Sequence, residues 1–118
     1  MKNLAPKITR QRLLIEGFYQ KKIDEQVIED YFKTVTDSLK LRMYEKSIIF
    51  SPGGNGKEEN QGYDAFVPLI DSGISLYIWT DTKFFSLIIY TCKAFDKAKA
   101  LKTTKKIFEV EEMESMSF

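Results

Sequence analysis

The chain has 118 residues, of which 43% are hydrophobic, 14% aromatic and 30% charged, the proportions of a single compact domain over 1–118. Eighteen Lys and Arg against seventeen Asp and Glu leave a formal charge of +1, so no overall field draws the chain to nucleic acid or to an anionic membrane. Histidine is absent and Cys92 is the one cysteine, which excludes Ser-His-Asp and Cys-His nucleophilic sites, His-ligated metals, Cys-clustered zinc and an intramolecular disulfide, so no metal site is expected.

At the N-terminus, Met1 to Arg10 lacks the apolar core of a secretory signal, and no apolar run in the chain approaches the roughly 18 residues of a membrane span. A soluble cytoplasmic protein is the expectation. Arg12 to Tyr19 (RLLIEGFY) is dense in Leu, Ile and aromatics and stops at the polar patch Gln20 to Lys22, which predicts a first strand. From Asp24 the period changes. Ile23, Val27, Ile28, Tyr31, Phe32, Val35 and Leu39 recur at spacings of three and four, predicting an amphipathic helix to about Lys40 with Asp24 as its cap. Arg42 to Phe50 reads as a second strand, closed by Ser51, Pro52 and the loop Gly53 to Asn60.

Three strand-like runs follow, Gly62 to Ile70, Ser75 to Asp81 and Phe84 to Thr91, separated by Asp-Ser-Gly and Asp-Thr-Lys turn signals in the manner of a meander. Phe95 to Lys106 returns to a helical period, with Ala94, Ala98, Leu101 and Ile107 on the apolar side. Ile107 to Phe118 supplies an acidic edge strand. The layout predicts an α+β two-layer sandwich, a mostly antiparallel sheet with two helices on one face.

Most of the conspicuous clusters have plain structural readings. The Gly53 to Gly56 cluster lacks the Ser or Thr after Lys57 that a phosphate loop needs, and no helix pattern opens behind it, so it reads as a surface loop. Lys93, Lys97, Lys99, Lys102, Lys105 and Lys106 read as a solvated face balanced by Glu109, Glu111, Glu112 and Glu114. Phe66, Trp79, Phe84, Phe85 and Tyr90 sit on predicted strands and read as core. Cys92 reads as a small buried apolar residue. Asp71-Ser72-Gly73 stands out because a hydroxyl directly follows a carboxylate between two strands, although the same triplet is a common turn.

In order, the strand RLLIEGFY, the helix after it, Phe50-Ser51-Pro52, Gln61-Gly62, the stretch LIDSGISLYIWTD and Thr91-Cys92 before a lysine-bearing helix resemble the bacterial and archaeal single-domain S-adenosylmethionine decarboxylases. These are enzymes of polyamine (spermidine) synthesis that make their own pyruvoyl group. The resemblance implies that the Ser72 hydroxyl attacks the Asp71 carbonyl and that elimination then cleaves the chain into 1–71 and 72–118. A pyruvoyl group derived from Ser72 would be left at the new N-terminus, and no metal is needed. It further implies that Cys92 donates a proton to the decarboxylated carbanion, that Phe50 stacks on the substrate adenine, and that Asp81 holds the ribose hydroxyls where the family has Glu. A homodimer is the implied assembly.

The departures gather at the same place. Gly73 and Tyr77 stand at the family's two histidines, Asp64 at a serine associated with processing, and Thr80 at the Pro of a Trp-Pro-Glu triplet. The eight residues Gly53 to Asn60 are inserted beside the expected pocket. Three readings follow. In the first, Tyr77 and Asp64 take over the processing roles in a decarboxylase acting on S-adenosylmethionine, or on ornithine or arginine, whose cationic side chains suit Asp64 and Asp81. In the second, an uncleaved homologue without catalysis forms a heteromer with an active paralogue, as a ligand-binding or regulatory subunit. In the third, only the fold is kept, for structural interaction. None of them involves nucleic acid or a membrane.

Overall fold

The chain runs β1 (Gln11–Tyr19), α1 (Glu25–Leu39), β2 (Ile48–Phe50), β3 (Gly62–Leu69), β4 (Ser72–Trp79), β5 (Phe84–Thr91), α2 (Lys97–Phe108) and β6 (Val110–Ser117), in a computed structural model that describes residues 1–53 and 56–118. The strands form one six-stranded sheet in the order β2-β3-β4-β5-β1-β6, and every neighbouring pair is antiparallel. Alternation decides which face is covered. Leu13 and Ile15 on β1, Ala65 and Val67 on β3, Ile74, Leu76 and Ile78 on β4, and Phe85, Leu87 and Ile89 on β5 are buried with the apolar faces of both helices in one core. The architecture is the α+β two-layer sandwich that the sequence pattern predicts.

Helix α1 matches its periodicity closely. The Asp24 side chain caps it by accepting the Val27 N–H at 2.9 Å, Ile28, Tyr31, Phe32, Val35 and Leu39 are buried, and Lys40 ends it in the left-handed conformation at φ 57°. Helix α2 differs from expectation in its inner face. Ala94 and Ala98 are exposed, and the buried residues are Ala100, Thr104 and Phe108, one turn apart from each other. Thr104 buries its hydroxyl at little cost by donating to the Ala100 carbonyl at 2.8 Å and accepting from the Tyr31 hydroxyl at 2.7 Å. Around this pair the Tyr31 and Phe108 rings lie 4.5 Å apart, and Phe108 meets Phe85 edge-on at 5.3 Å. Burial pushes the Tyr31 phenol well above its ordinary pKa, the Thr104 hydrogen bond opposing this.

Four other expectations need correction. Only Ile48–Phe50 of the predicted strand Arg42 to Phe50 pairs along β3, because Glu45-Lys46-Ser47 interrupts the apolar alternation. Arg42 to Tyr44 instead straps the far end of β3, through the bridge of Met43 with Leu69 and the hydrogen bonds Ile70 N–H to Arg42 O (2.8 Å) and Tyr44 N–H to Pro68 O (3.3 Å). Strand β4 begins at Ser72, so the turn is Ile70–Asp71 and Ser72 and Gly73 belong to the sheet. Of the aromatic residues expected in the core, only Phe85 is buried. Phe66 and Tyr90 are exposed and Trp79 and Phe84 half-buried, because alternation places them on the face that no helix covers. Cys92 is exposed too.

The lysines of α2, Lys97, Lys99, Lys102, Lys105 and Lys106, are exposed. In the inserted loop Gly54 and Asn55 lie outside the described residues, and a 3-10 turn at Glu58–Asn60 leads into β3. Among the described residues no helix is long and apolar enough to cross a membrane.

The Tyr31–Thr104 pair yields an ordered prediction. Tyr31→Phe removes one buried hydrogen bond but leaves Thr104 satisfied by Ala100, at a cost of about 1 kcal/mol, whereas Thr104→Val strands a fully buried phenol hydroxyl and costs about 2–3 kcal/mol. Denaturant unfolding of the two variants checks the order.

Candidate functional site

The hairpin joining β3 to β4 has an unusual backbone. Leu69 pairs with Ser72 across the turn Ile70–Asp71, and the positive φ falls on Ser72, at 129°. Tight hairpins match the right-handed twist of their strands with a positive φ, normally taken by Gly, Asn or Asp. At the β4–β5 turn Lys83 takes this position at φ 55°, within the left-handed well. Ser72 lies outside that well, a conformation costing an L-residue about 1–3 kcal/mol.

Both sides of Asp71 are held. It is buried, and its carboxylate accepts the Arg42 N–H at 3.1 Å and the Arg42 guanidinium at 3.3 Å. Its main-chain carbonyl accepts the Cys92 N–H at 2.9 Å. The hydrogen bond from the Arg42 side chain holds the Asp71 carboxyl below its ordinary pKa. Burial opposes the shift, while the Arg42 N–H and the charges of Arg42 and Lys93 add to it. The stability this carboxylate contributes is therefore complete above the ordinary carboxylate range and is lost as pH falls through the depressed value. Thr91 pairs with Ser72, so Cys92, the next residue, completes a cluster of Arg42, Asp71, Ser72 and Cys92 at one end of the sheet. The sequence expectation named three of these residues and missed Arg42.

Phe50, Asp64 and Tyr77 gather elsewhere. Phe50 pairs with Asp64 and Asp64 with Tyr77, so the three stand side by side in one row across the uncovered face, all exposed. Phe50 is 66% exposed, its ring open to solvent. The row continues through Ser86 and Glu16, a pair the sequence reading missed, with the Ser86 hydroxyl donating to the Glu16 carboxylate at 2.8 Å. Register across the strands would have revealed them. Asp81 is exposed in the turn after β4, next to Thr80, which lines a cleft of about 300 Å³ with Ser51, Pro52, Gln61, Gly62 and Tyr63. Along β4, Ser72 and Tyr77 are separated by about 16 Å, at the usual rise of a strand. One chain thus holds these two groups of residues apart.

The structure accounts for two of the residues that depart from the resemblance. A Cβ at Gly73 would lie 2.8 Å from the Phe66 ring, so that ring occupies the space of any side chain at position 73. Thr80 donates its N–H and its hydroxyl to the Gln61 carbonyl, at 3.0 and 3.1 Å, and proline has no N–H to donate.

A family model described as S-adenosylmethionine decarboxylase matches residues 14–118. The chain belongs to this family. Its fold agrees with the crystal structure of the adenosylmethionine decarboxylase from Aquifex aeolicus VF5, with a TM-score of 0.71 over 94% of this chain and 89% of that one, at 17% sequence identity. No curated protein matches the chain in sequence. Among the described residues, no group of three or more His, Cys, Asp or Glu is placed to hold a metal ion.

The strain at Ser72 can be measured directly. In the two variants that lack the hydroxyl, Ser72→Gly should be more stable than Ser72→Ala by about 1 kcal/mol, the relief of a positive φ less the greater unfolded-state freedom of glycine, as denaturant unfolding of the pair reports.

Proposed function

We propose that this S-adenosylmethionine decarboxylase-like protein is a pyruvoyl-dependent decarboxylase of polyamine biosynthesis, working in the cytoplasm, that cleaves itself between Asp71 and Ser72. The observation that carries the reading is the state of the Asp71–Ser72 peptide, strained at Ser72 and with the Asp71 carbonyl oxygen on the Cys92 N–H. Attack of Ser72 Oγ on the Asp71 carbonyl carbon places negative charge on that oxygen, where the amide donor is already in position. The new C–O bond replaces the Asp71–Ser72 C–N bond, and the hydroxyl proton ends on the freed amine. Loss of the Ser72 Cα proton then breaks the Cβ–O bond and releases the Asp71 main-chain carboxylate, leaving a dehydroalanine at position 72 that tautomerises to an imine; water adds to its carbon and ammonia leaves, which gives the pyruvoyl carbonyl.

The residues present fit a pyruvoyl group at position 72, which when formed supplies an electron sink for loss of carbon dioxide. The exposed Cys92 thiol next to it is the donor that protonates the product carbon. Phe50 offers an unobstructed ring to an adenine and Asp81 a solvent-facing carboxylate to ribose hydroxyls. Asp64 and Tyr77, adjacent across β3 and β4, act as the polar pair of processing and catalysis, with a carboxylate suited to a sulfonium or other cationic substrate.

The separation of the two half-sites makes a second copy part of this reading. The uncovered sheet face exposes Phe18, Phe50, Phe66, Tyr77, Tyr90 and Met116, more apolar surface than a solvated sheet face carries by accident. A two-fold partner packed against it would set the Ser72 end of one chain against the Phe50–Asp64–Tyr77 row of the other, giving a homodimer with two shared sites.

Intact-mass spectrometry of freshly purified protein tests the proposal. Two species, 1–71 and 72–118, are expected, and Ser72→Ala should give only the full-length chain. Cys92→Ala keeps the backbone donor, so it should still cleave while decarboxylation falls by about 10²–10⁴-fold. Release of carbon dioxide from S-adenosylmethionine, ornithine and arginine identifies the substrate, S-adenosylmethionine being expected. Wild-type protein that stays in one piece on prolonged incubation overturns the enzymatic reading, and calorimetric binding of S-adenosylmethionine by such protein would make it a ligand-binding subunit.

A further inference from the structure

Resting on the reading of Asp71–Ser72 as a cleavage site, we infer that Arg42 is the positioning residue that keeps this peptide in its strained form. Three hydrogen bonds from this one residue hold the turn. Its carbonyl accepts the Ile70 N–H at 2.8 Å, its N–H reaches one Asp71 carboxylate oxygen at 3.1 Å, and its guanidinium reaches the other at 3.3 Å. The bridge of Met43 with Leu69 fixes the strap that carries it.

The consequence follows from what φ measures. Rotation about the Ser72 N–Cα bond relates the Asp71–Ser72 peptide plane to the rest of Ser72. The first is fixed through Asp71, whose side chain is held by Arg42 and whose carbonyl is held by the Cys92 N–H. The second is fixed by strand β4, where Ser72 pairs with Leu69 on one side and Thr91 on the other. With both ends anchored, φ has no route from 129° back to the β region. The distortion is borne by the peptide that the acyl shift breaks, and an ester at the same place no longer carries it. Arg42 touches neither the hydroxyl nor the scissile carbonyl. It acts through Asp71, and the ordinary reading of a turn-stabilising ion pair predicts no effect on chemistry at Ser72 beyond lost stability.

The test compares wild type, Arg42→Met and Arg42→Lys. Hydroxylamine, which intercepts an ester between Asp71 and Ser72, is added to newly translated precursor before self-cleavage is complete, and the fragments 1–71 and 72–118 are followed by intact mass. Arg42→Met should cleave at least tenfold more slowly than wild type under conditions where both are fully folded, and Arg42→Lys should recover most of the rate. In parallel, with Ser72→Ala in every sample so that the chain stays whole, the residue-72 amide-to-Hα coupling and cross-relaxation by NMR should report a positive φ in Ser72→Ala and Ser72→Ala/Arg42→Lys and its loss in Ser72→Ala/Arg42→Met. Cleavage of Arg42→Met at the wild-type rate overturns the inference, as does an unchanged Ser72 conformation. Wild-type protein that resists hydroxylamine would sink self-cleavage alone, and the NMR comparison would still decide whether Arg42 imposes the strain. Should Arg42→Met fail to fold, Asp71→Asn, which keeps an acceptor for the Arg42 N–H and removes the ion pair, is read by the same two measurements.

Discussion

Covering a six-stranded sheet on one face only is the constraint from which the remaining features follow. Two helices suffice to bury Ile15, Ile74, Leu76, Leu87 and Ile89, and the strict alternation of a strand then sends every intervening residue to the other side. That side is where Phe50, Asp64, Tyr77, Ser86 and Glu16 line up. The core and the row of polar and aromatic groups are thus two readings of one alternation. A one-residue slip of any strand would exchange them.

The ends of the strands do different work from their middles. At the β3–β4 hairpin neither turn residue adopts a positive φ, and the strap from Arg42 to Tyr44 closes over the turn from behind. A short segment that sequence pattern assigns to a strand therefore serves as a brace. Its Arg42 shields a buried carboxylate whose charge would otherwise be costly to keep beneath the surface. Strands supply rigid placement while this brace supplies local distortion.

Much of the fold was legible in the sequence, and the reasons for the misses are specific. Helix α1 and strands β3 and β5 announce themselves because period and burial coincide. The inner face of α2 was misread because Thr104 counts as polar by type, while in place its hydroxyl is paired with both Ala100 and Tyr31. Phe66, Trp79, Phe84 and Tyr90 were misread as core because hydrophobicity does not say which face of a sheet a helix will cover. For the candidate site, motif order brought out Asp71, Ser72, Cys92, Phe50, Asp64, Tyr77 and Asp81, but a string of residues carries no distances. Neither the separation of these residues into two groups nor the Arg42 contact could be read without the folded chain. The φ of Ser72 is a property of a hairpin and its brace together, and no residue type encodes it.

The Phe66 ring above Gly73 has a consequence for how this chain can change. A side chain introduced at position 73 meets the far end of that ring, which is 41% exposed and must turn aside to admit it. The two positions are therefore coupled, and the effects of substitutions at 66 and 73 should not add.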